Sequence, residues 1–178
     1  VFCTDRMVKD YAQKIYMKAH GNWDRLSEND FARARQLATW KQYIAENWKN
    51  VRIVTAAIQQ KEADVGFALK VNADVYLGDL KPEDVLVQNC SGPLDADYNI
   101  TGGNAFDMKC IGQSSEALYN YEGFIPCDES GLYGYSVRIM PRHDELMDHF
   151  DLELVHWIGD KPISDKHSSI QRVTADST

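Results

Sequence analysis

The hydrophobic pattern of this chain changes its period at Val51, from about 3.6 residues to about two, and that switch constrains what each half can become. A period near 3.6 lays one stripe of a helix on a core, whereas a period of two turns every second side chain of a strand to one face. Upstream, Met7, Val8, Tyr11, Ala12, Ile15, Tyr16 and Ala19 fall at helical spacing, with Lys9, Asp10, Gln13, Lys14 and Lys18 opposite. Thr4 is placed to cap that helix, Asp5 suits its positive end, and Gly21 is placed to stop it. Ser27, with Asp30 three residues on, predicts a second start. That second helix would bury Phe31, Ala34, Leu37, Ala38, Ile44, Ala45 and Trp48, with Trp40 and Tyr43 at its edge. A short connection makes the two antiparallel neighbours.

Downstream the alternation is one-sided. Val65, Phe67, Leu69, Val71, Ala73, Val75 and Leu77 share one side of a strand, and Lys70, Asn72, Asp74 and Tyr76 the other. Phe106, Met108 and Cys110 repeat the pattern, as do Tyr133, Tyr135, Val137 and Ile139, and then Phe150, Leu152 and Leu154. Val51–Ile58, Val85–Asn89 and Leu118–Pro126 bring the total to about seven strands, separated by Gly-, Pro- and Asn-rich turns. Short strands that are apolar on one side suit two antiparallel sheets packed face to face. The run Glu129-Ser130-Gly131-Leu132-Tyr133-Gly134-Tyr135 points to an immunoglobulin-like sandwich. Tyr133 takes the corner position, where a hydroxyl bonds back to the backbone, and Tyr135 the core position two residues on. The predicted class is α+β: a helical pair over residues 1–50, an immunoglobulin-like antiparallel sandwich over 51–158, and a polar tail over 159–178.

Composition limits the partners. A net charge of −8 over 178 residues argues against nucleic acid, which needs Lys and Arg against its phosphates, and against anionic membranes. Cys3, Cys90, Cys110 and Cys127 contain no C-x-x-C pair, and no basic and apolar leader precedes them, so they read as free thiols in a reducing cytoplasm. The chain opens on Val1 rather than Met, which suggests a piece of a longer protein.

Chemical motifs are scarce. Asp95-x-Asp97-x-Asn99 begins like a calcium loop, but its sixth and twelfth positions are Ile100 and Phe106 where Gly and Glu are required. Asn99-Ile100-Thr101 matches a glycosylation triplet that matters only in a secreted chain. His143, Asp144, Asp148, His149 and His156 cluster without the spacing that sets metal ligands on one face. No P-loop, G-x-S-x-G or G-x-G-x-x-G occurs. The residues assign no catalytic, cofactor-binding or metal-binding position.

Phe2, Thr4-Asp5-Arg6-Met7-Val8, Lys9-Asp10-Tyr11-Ala12 and Ile15-Tyr16 resemble the last helix of α-glucan (glycogen/starch) phosphorylases. Trp40-Lys41, Trp48, Val51-Arg52-Ile53 and Tyr76-Leu77-Gly78-x-Leu80-x-Pro82-Glu83-Asp84-Val85 resemble the C-terminal extension of the shorter bacterial and archaeal members. So does the run from Tyr121-x-Gly123 through Pro126-Cys127-x-x-Ser130-Gly131-x-Tyr133-Gly134-Tyr135 to Pro141-x-His143. The resemblance implies a glycosyltransferase that phosphorolyses α-1,4-glucan to glucose 1-phosphate with pyridoxal 5′-phosphate on a lysine. None of that machinery matches a position in this chain.

The expected role is therefore a non-catalytic C-terminal accessory part of such an enzyme, inactive and cofactor-free by itself. Met7, Tyr11 and Ile15 are the residues expected against the parent's catalytic domain, or against a second copy of the chain. Two other roles stay open. A glucan-binding module would use surface aromatics, for which Tyr76, Tyr98, Tyr119 and Trp157 are candidates. A free-standing immunoglobulin-like interaction domain would need disulfides, which the cysteine spacing does not support.

Overall fold

The computed structural model describes residues 17–60, 62–97, 100–128, 130–159 and 171–176. Helix α1 spans Met17–Asn47, and a 3-10 turn, Trp48–Asn50, leads from it to Val51. The strands follow as β1 (Arg52–Ile58), β2 (Glu62–Asp64), β3 (Ala68–Tyr76), β4 (Val85–Pro93) and β5 (Asn104–Asp107), with a 3-10 turn, Pro82–Asp84, before β4. Then come β6 (Lys109–Ser115), β7 (Leu118–Pro126), β8 (Gly131–Pro141), β9 (His156–Trp157) and β10 (Gln171–Asp176). One sheet has the order β1-β3-β7-β6 and the other β2-β10-β8-β4-β5, with β9 also paired to β8. Every pair is antiparallel except β10 with β2. The class is α+β.

The period of two becomes burial directly. On β3, Leu69, Val71, Ala73 and Val75 are buried, while Lys70, Asn72, Asp74 and Tyr76 are half-buried on the opposite side. They share one core with Val87, Tyr121, Ile125, Tyr135, Val137 and Ile139. Asn89 on β4 lies inside this core, and its Nδ2 donates to the Phe124 carbonyl of β7 at 3.1 Å, tying one sheet to the other. Gly123 permits that approach, since a Cβ there would stand 2.7 Å from Met108 Cγ.

The expected break between two helices is corrected. Gly21 and Ser27 both lie inside α1 rather than in a connection. A glycine in a helix interior costs only about 1 kcal/mol relative to alanine, which neighbouring turns override. Ser27 Oγ donates to the Asp24 carbonyl at 3.1 Å instead of capping a new helix. The backbone turns left-handed later, at Asn29, Asp30 and Phe31, with φ of 51°, 55° and 59°. The buried stripe is also narrower than expected. Leu37, Ile44 and Trp48 are buried, but Phe31, Ala38 and Ala45 are exposed. Met7, Tyr11 and Ile15 lie outside the described residues.

Four strand readings change as well. The strand expected from Val65 begins only at Ala68, because Gly66 takes φ 92° and turns the chain from one sheet into the other. Val65 and Phe67 are exposed in consequence. Phe106 to Cys110 is not one strand: β5 and β6 belong to different sheets. Met108 between them is buried, and its N–H donates to the Val87 carbonyl at 2.8 Å. Phe150 and Leu152 lie in turns and Leu154 in irregular chain, with Glu153 left-handed at φ 55°, and only Leu152 and Leu154 rest on the core. Finally, the expected polar tail includes β10, which pairs with Gly131 to Tyr135 of β8 on one side and with β2 on the other. Six residues are too few to display a period, yet their backbone satisfies an edge that would otherwise stay unpaired.

Candidate functional site

Where β1 begins and β3 ends, the sandwich opens into a cleft of about 480 Å³. Arg52 and Tyr76 are register partners across β1 and β3, so both side chains leave the sheet together. The Arg52 guanidinium carbon stands 4.0 Å from the Tyr76 ring centroid, a cation–π contact. Tyr119 of β7, paired with Val75, supplies a second, half-buried ring on the core side. Asp79 and Lys81 from the loop after β3, and Glu116 from the turn between β6 and β7, complete the rim. Two cations and two carboxylates leave the rim without net charge.

The walls are set by local chemistry. Gly78 adopts φ 60°, and a Cβ there would lie 3.2 Å from Asn50 Cβ, so a side chain would crowd the turn that ends α1. Ala117 adopts φ 59°, a region that a residue with a Cβ rarely enters. Its carbonyl accepts from the Leu77 N–H at 2.8 Å, which locks the β6–β7 turn to the end of β3. The Tyr43 hydroxyl of α1 donates to the Asp79 carbonyl at 2.6 Å. Burial, with Asp84 and Asp79 nearby, raises the Tyr43 hydroxyl above its ordinary range and keeps it a donor.

A polar row leads away from the cleft over the outer face of the β1-β3-β7-β6 sheet. Thr55 Oγ1 donates to Asp74 Oδ2 at 2.7 Å, and Asn120 Nδ2 donates to Asp74 Oδ1 at 2.5 Å. The Ser114 hydroxyl bonds to Asn120 Oδ1, so the row crosses all four strands.

The aromatic candidates divide. Tyr76 and Tyr119 meet at the cleft, whereas Trp157 lies on β9 of the other sheet, with Arg138 5.5 Å from its ring centroid. Tyr98 lies outside the described residues. Tyr133 is half-buried at the start of β8, and Tyr135 is buried two residues on. Burial raises the Tyr135 hydroxyl, against a smaller lowering by the backbone of Ile58. Arg52, Lys81 and Glu116 were not signalled by spacing. The register that places Arg52 against Tyr76 identifies the first, and the loop after β3 and the turn between β6 and β7 bring in the other two.

The remaining polar residues serve the fold. Trp40 of α1 donates through Nε1 to Asp84 Oδ1 at 2.9 Å and packs on the His143 ring at 4.7 Å. Trp48 stacks on His156 at 5.5 Å. The Asp97 N–H donates to Asp95 Oδ1 at 2.9 Å, a local turn. Cys90, Cys110 and Cys127 are free, and burial raises the Cys90 and Cys127 thiols, which keeps them protonated. No described helix is long and apolar enough to cross a membrane.

A model of the glycogen phosphorylase C-terminal domain matches residues 48–159. The chain is 34% identical over 167 residues to a maltodextrin phosphorylase of Thermococcus litoralis, covering 89% of this chain and 18% of that protein. It is 30% identical over 152 residues to a glycogen phosphorylase of Mycobacterium tuberculosis, covering 84% of this chain and again 18% of the relative. The chain thus spans under a fifth of the length of these relatives. Among solved structures, the alkylpurine DNA glycosylase AlkC of Pseudomonas fluorescens aligns at 10% identity and a TM-score of 0.39, over 51% of this chain and 27% of that one. A TM-score at that level supports no shared fold.

Proposed function

The chain belongs to the family of glycogen phosphorylase C-terminal domains, and on that premise we propose that it is the non-catalytic accessory part of an α-glucan phosphorylase. The observation that carries this is the coverage: nearly all of the chain aligns with less than a fifth of each relative. The proposed parent phosphorolyses α-1,4-glucan in a cytoplasm, a setting that suits the free Cys90, Cys110 and Cys127. Its catalytic domain is the expected partner.

The strand order supports the immunoglobulin-like reading of the sandwich. In that fold strands A, B, E and D form one sheet and C, F and G the other. Taking β1, β3, β7 and β6 as A, B, E and D, and β4, β8 and β10 as C, F and G, reproduces both orders. Tyr133 then stands near the start of strand F, where the corner tyrosine belongs.

The pyridoxal phosphate implied by the resemblance does not fit the described residues. Its lysine must be desolvated so that its pKa falls, and its phosphate must be cradled. Lys49, Lys81 and Lys109 are exposed, Lys41 is half-buried on α1, and Lys70 is paired with Glu122. No chemical step is assigned to this chain.

Mixing the purified chain with maltodextrin and phosphate tests the reading. The expected outcome is no glucose 1-phosphate from the chain alone, and full activity only when it is joined to the parent's catalytic domain. Phosphorolysis by the isolated chain would overturn it.

A further inference from the structure

We propose that the slot between β8 and β2 is a strand-exchange site. Within one chain Gln171–Asp176 fills it, and in a dimer the same segment of a second copy does.

The slot is made of backbone. β10 runs antiparallel to β8, with Gln171 opposite Tyr135 and Ala175 opposite Gly131. It runs parallel to β2, with Thr174 opposite Glu62 and Asp176 opposite Asp64. Among the described residues β2 pairs with no other strand, so a vacated slot has an open β8 edge on one side and an unsupported β2 on the other. Unpaired N–H and C=O groups on such an edge are a template for another strand. Val173 and Ala175 are the only apolar residues of β10, so ladder bonds supply most of its hold, and any strand in the same register remakes them.

The connection does not commit the strand to its own chain. Ile158 donates its N–H to the Val137 carbonyl at 2.9 Å, and the chain then leaves the β8 edge at Gly159, where φ is 80°. It returns to β8 at Gln171, opposite Tyr135 and two positions along from Val137. β9 and β10 are both antiparallel to β8 and so lie in line along it. Two positions on a strand are about 7 Å apart. The eleven residues 160–170 can extend over roughly 36–40 Å. A connection so much longer than its gap lowers the effective concentration of β10 at its own slot and brings a neighbour's slot within reach. Exchange remakes the same bonds in trans, and a pair that gives and receives one strand each closes about a twofold axis with no slot left open. A second copy is the fitting occupant because it brings the segment whose register already satisfies β8 and β2 together. The family match ends at residue 159, so β10 lies beyond it.

The test is sedimentation of the full chain from about 10 μM to about 1 mM, since a flexible tether holds its strand at an effective concentration of millimolar order. The dimer fraction should rise across that range. Two variants then assign the dimer to β10. Deleting residues 160–170 joins Gly159 to Gln171 and leaves β9 and β10 as one strand in unbroken register along β8, so this variant should stay monomeric at the highest concentration. Leu132→Cys combined with Thr174→Cys sets two thiols on register partners of β8 and β10. Oxidised dilute, it should give a cross-linked monomer on a denaturing gel; oxidised concentrated, it should give a covalent dimer above the background that the unaltered chain's own thiols produce. Sedimentation of the unaltered chain keeps the test valid if a variant misfolds. A chain that stays monomeric throughout, a deletion variant that dimerises as the unaltered chain does, or cross-links that remain within single chains in the dimer would each overturn the proposal.

Discussion

Strand β3 pairs with β7 from Ala68 to Tyr76, and β4 with β8 from Val85 to Pro93, both without a register shift. Helix α1 and the 3-10 turn after it instead meet the sandwich through Ile44 and Trp48, the Trp40 contacts to Asp84 and His143, and the stack of Trp48 on His156. In the first region each residue adds a backbone bond and every second one a core side chain, so stability accumulates along the strands. In the second, a few large side chains decide whether the helix is seated at all. The lesson is that the sandwich should fail as a unit, and the helix should fail by letting go.

The largest expected effect tests that difference. Ile139 and Ile44 are both fully buried in one continuous cluster. Truncating either to Ala removes comparable apolar volume, at a cost of about 2–5 kcal/mol. The two should nevertheless differ in hydrogen exchange. Ile139→Ala should lower amide protection across β4, β7 and β8 together, whereas Ile44→Ala should expose the amides of α1 and leave those strands protected. Loss of strand protection in Ile44→Ala would break the comparison, because the helix would then belong to the same cooperative unit.

The next effect is smaller and lies between the sheets. A Cβ on Gly123 would stand 2.7 Å from Met108 Cγ and 3.2 Å from Asn89 Oδ1. Met108 is the residue at which the chain crosses from one sheet to the other, so it has little room to yield. Gly123→Ala should cost about 1–3 kcal/mol by overpacking, read from a denaturant melt with an unchanged slope. A neutral result would mean that the crossing is loose and the two sheets are less tightly coupled than Asn89 suggests.

The same contrast explains what was legible in the amino-acid sequence. Alternation on β3 could be read because burial there repeats every second residue, and Tyr135 on β8 fell in the core as its spacing implied, although β8 is buried along consecutive residues. Phe106, Met108 and Cys110 misled because a crossing between sheets keeps the period of two while changing the partner. The helix was misread because Gly21 carries a strong stop signal that the surrounding turns override. Of the cleft, Tyr76 and Tyr119 were visible as aromatics, but Arg52 and Glu116 acquire meaning only from register and from a turn. The stack of Trp48 on His156 joins residues 108 positions apart, which no local pattern encodes.

The smallest expected effect sharpens the account of the helix. Arg33 of α1 stands 3.4 Å from Glu145, and Arg25 stands 3.8 Å from the same carboxylate. On contact geometry alone these ion pairs rank beside Trp40 as anchors. Both arginines are about half exposed, with side-chain exposures of 47% and 51%, so solvent and salt screen them. Exposed ion pairs are worth about 0–1 kcal/mol, because holding two long side chains offsets the Coulomb gain. Arg33→Gln should therefore cost less than about 1 kcal/mol, and the difference should shrink further as salt rises. Trp40→Phe leaves Asp84 without the indole donor, and losing a bond to a charged acceptor costs about 1.5–3 kcal/mol. If Arg33→Gln proved the more damaging of the two in exchange at α1, the helix would be seated by charge, and the contrast with the sandwich would need a different physical basis.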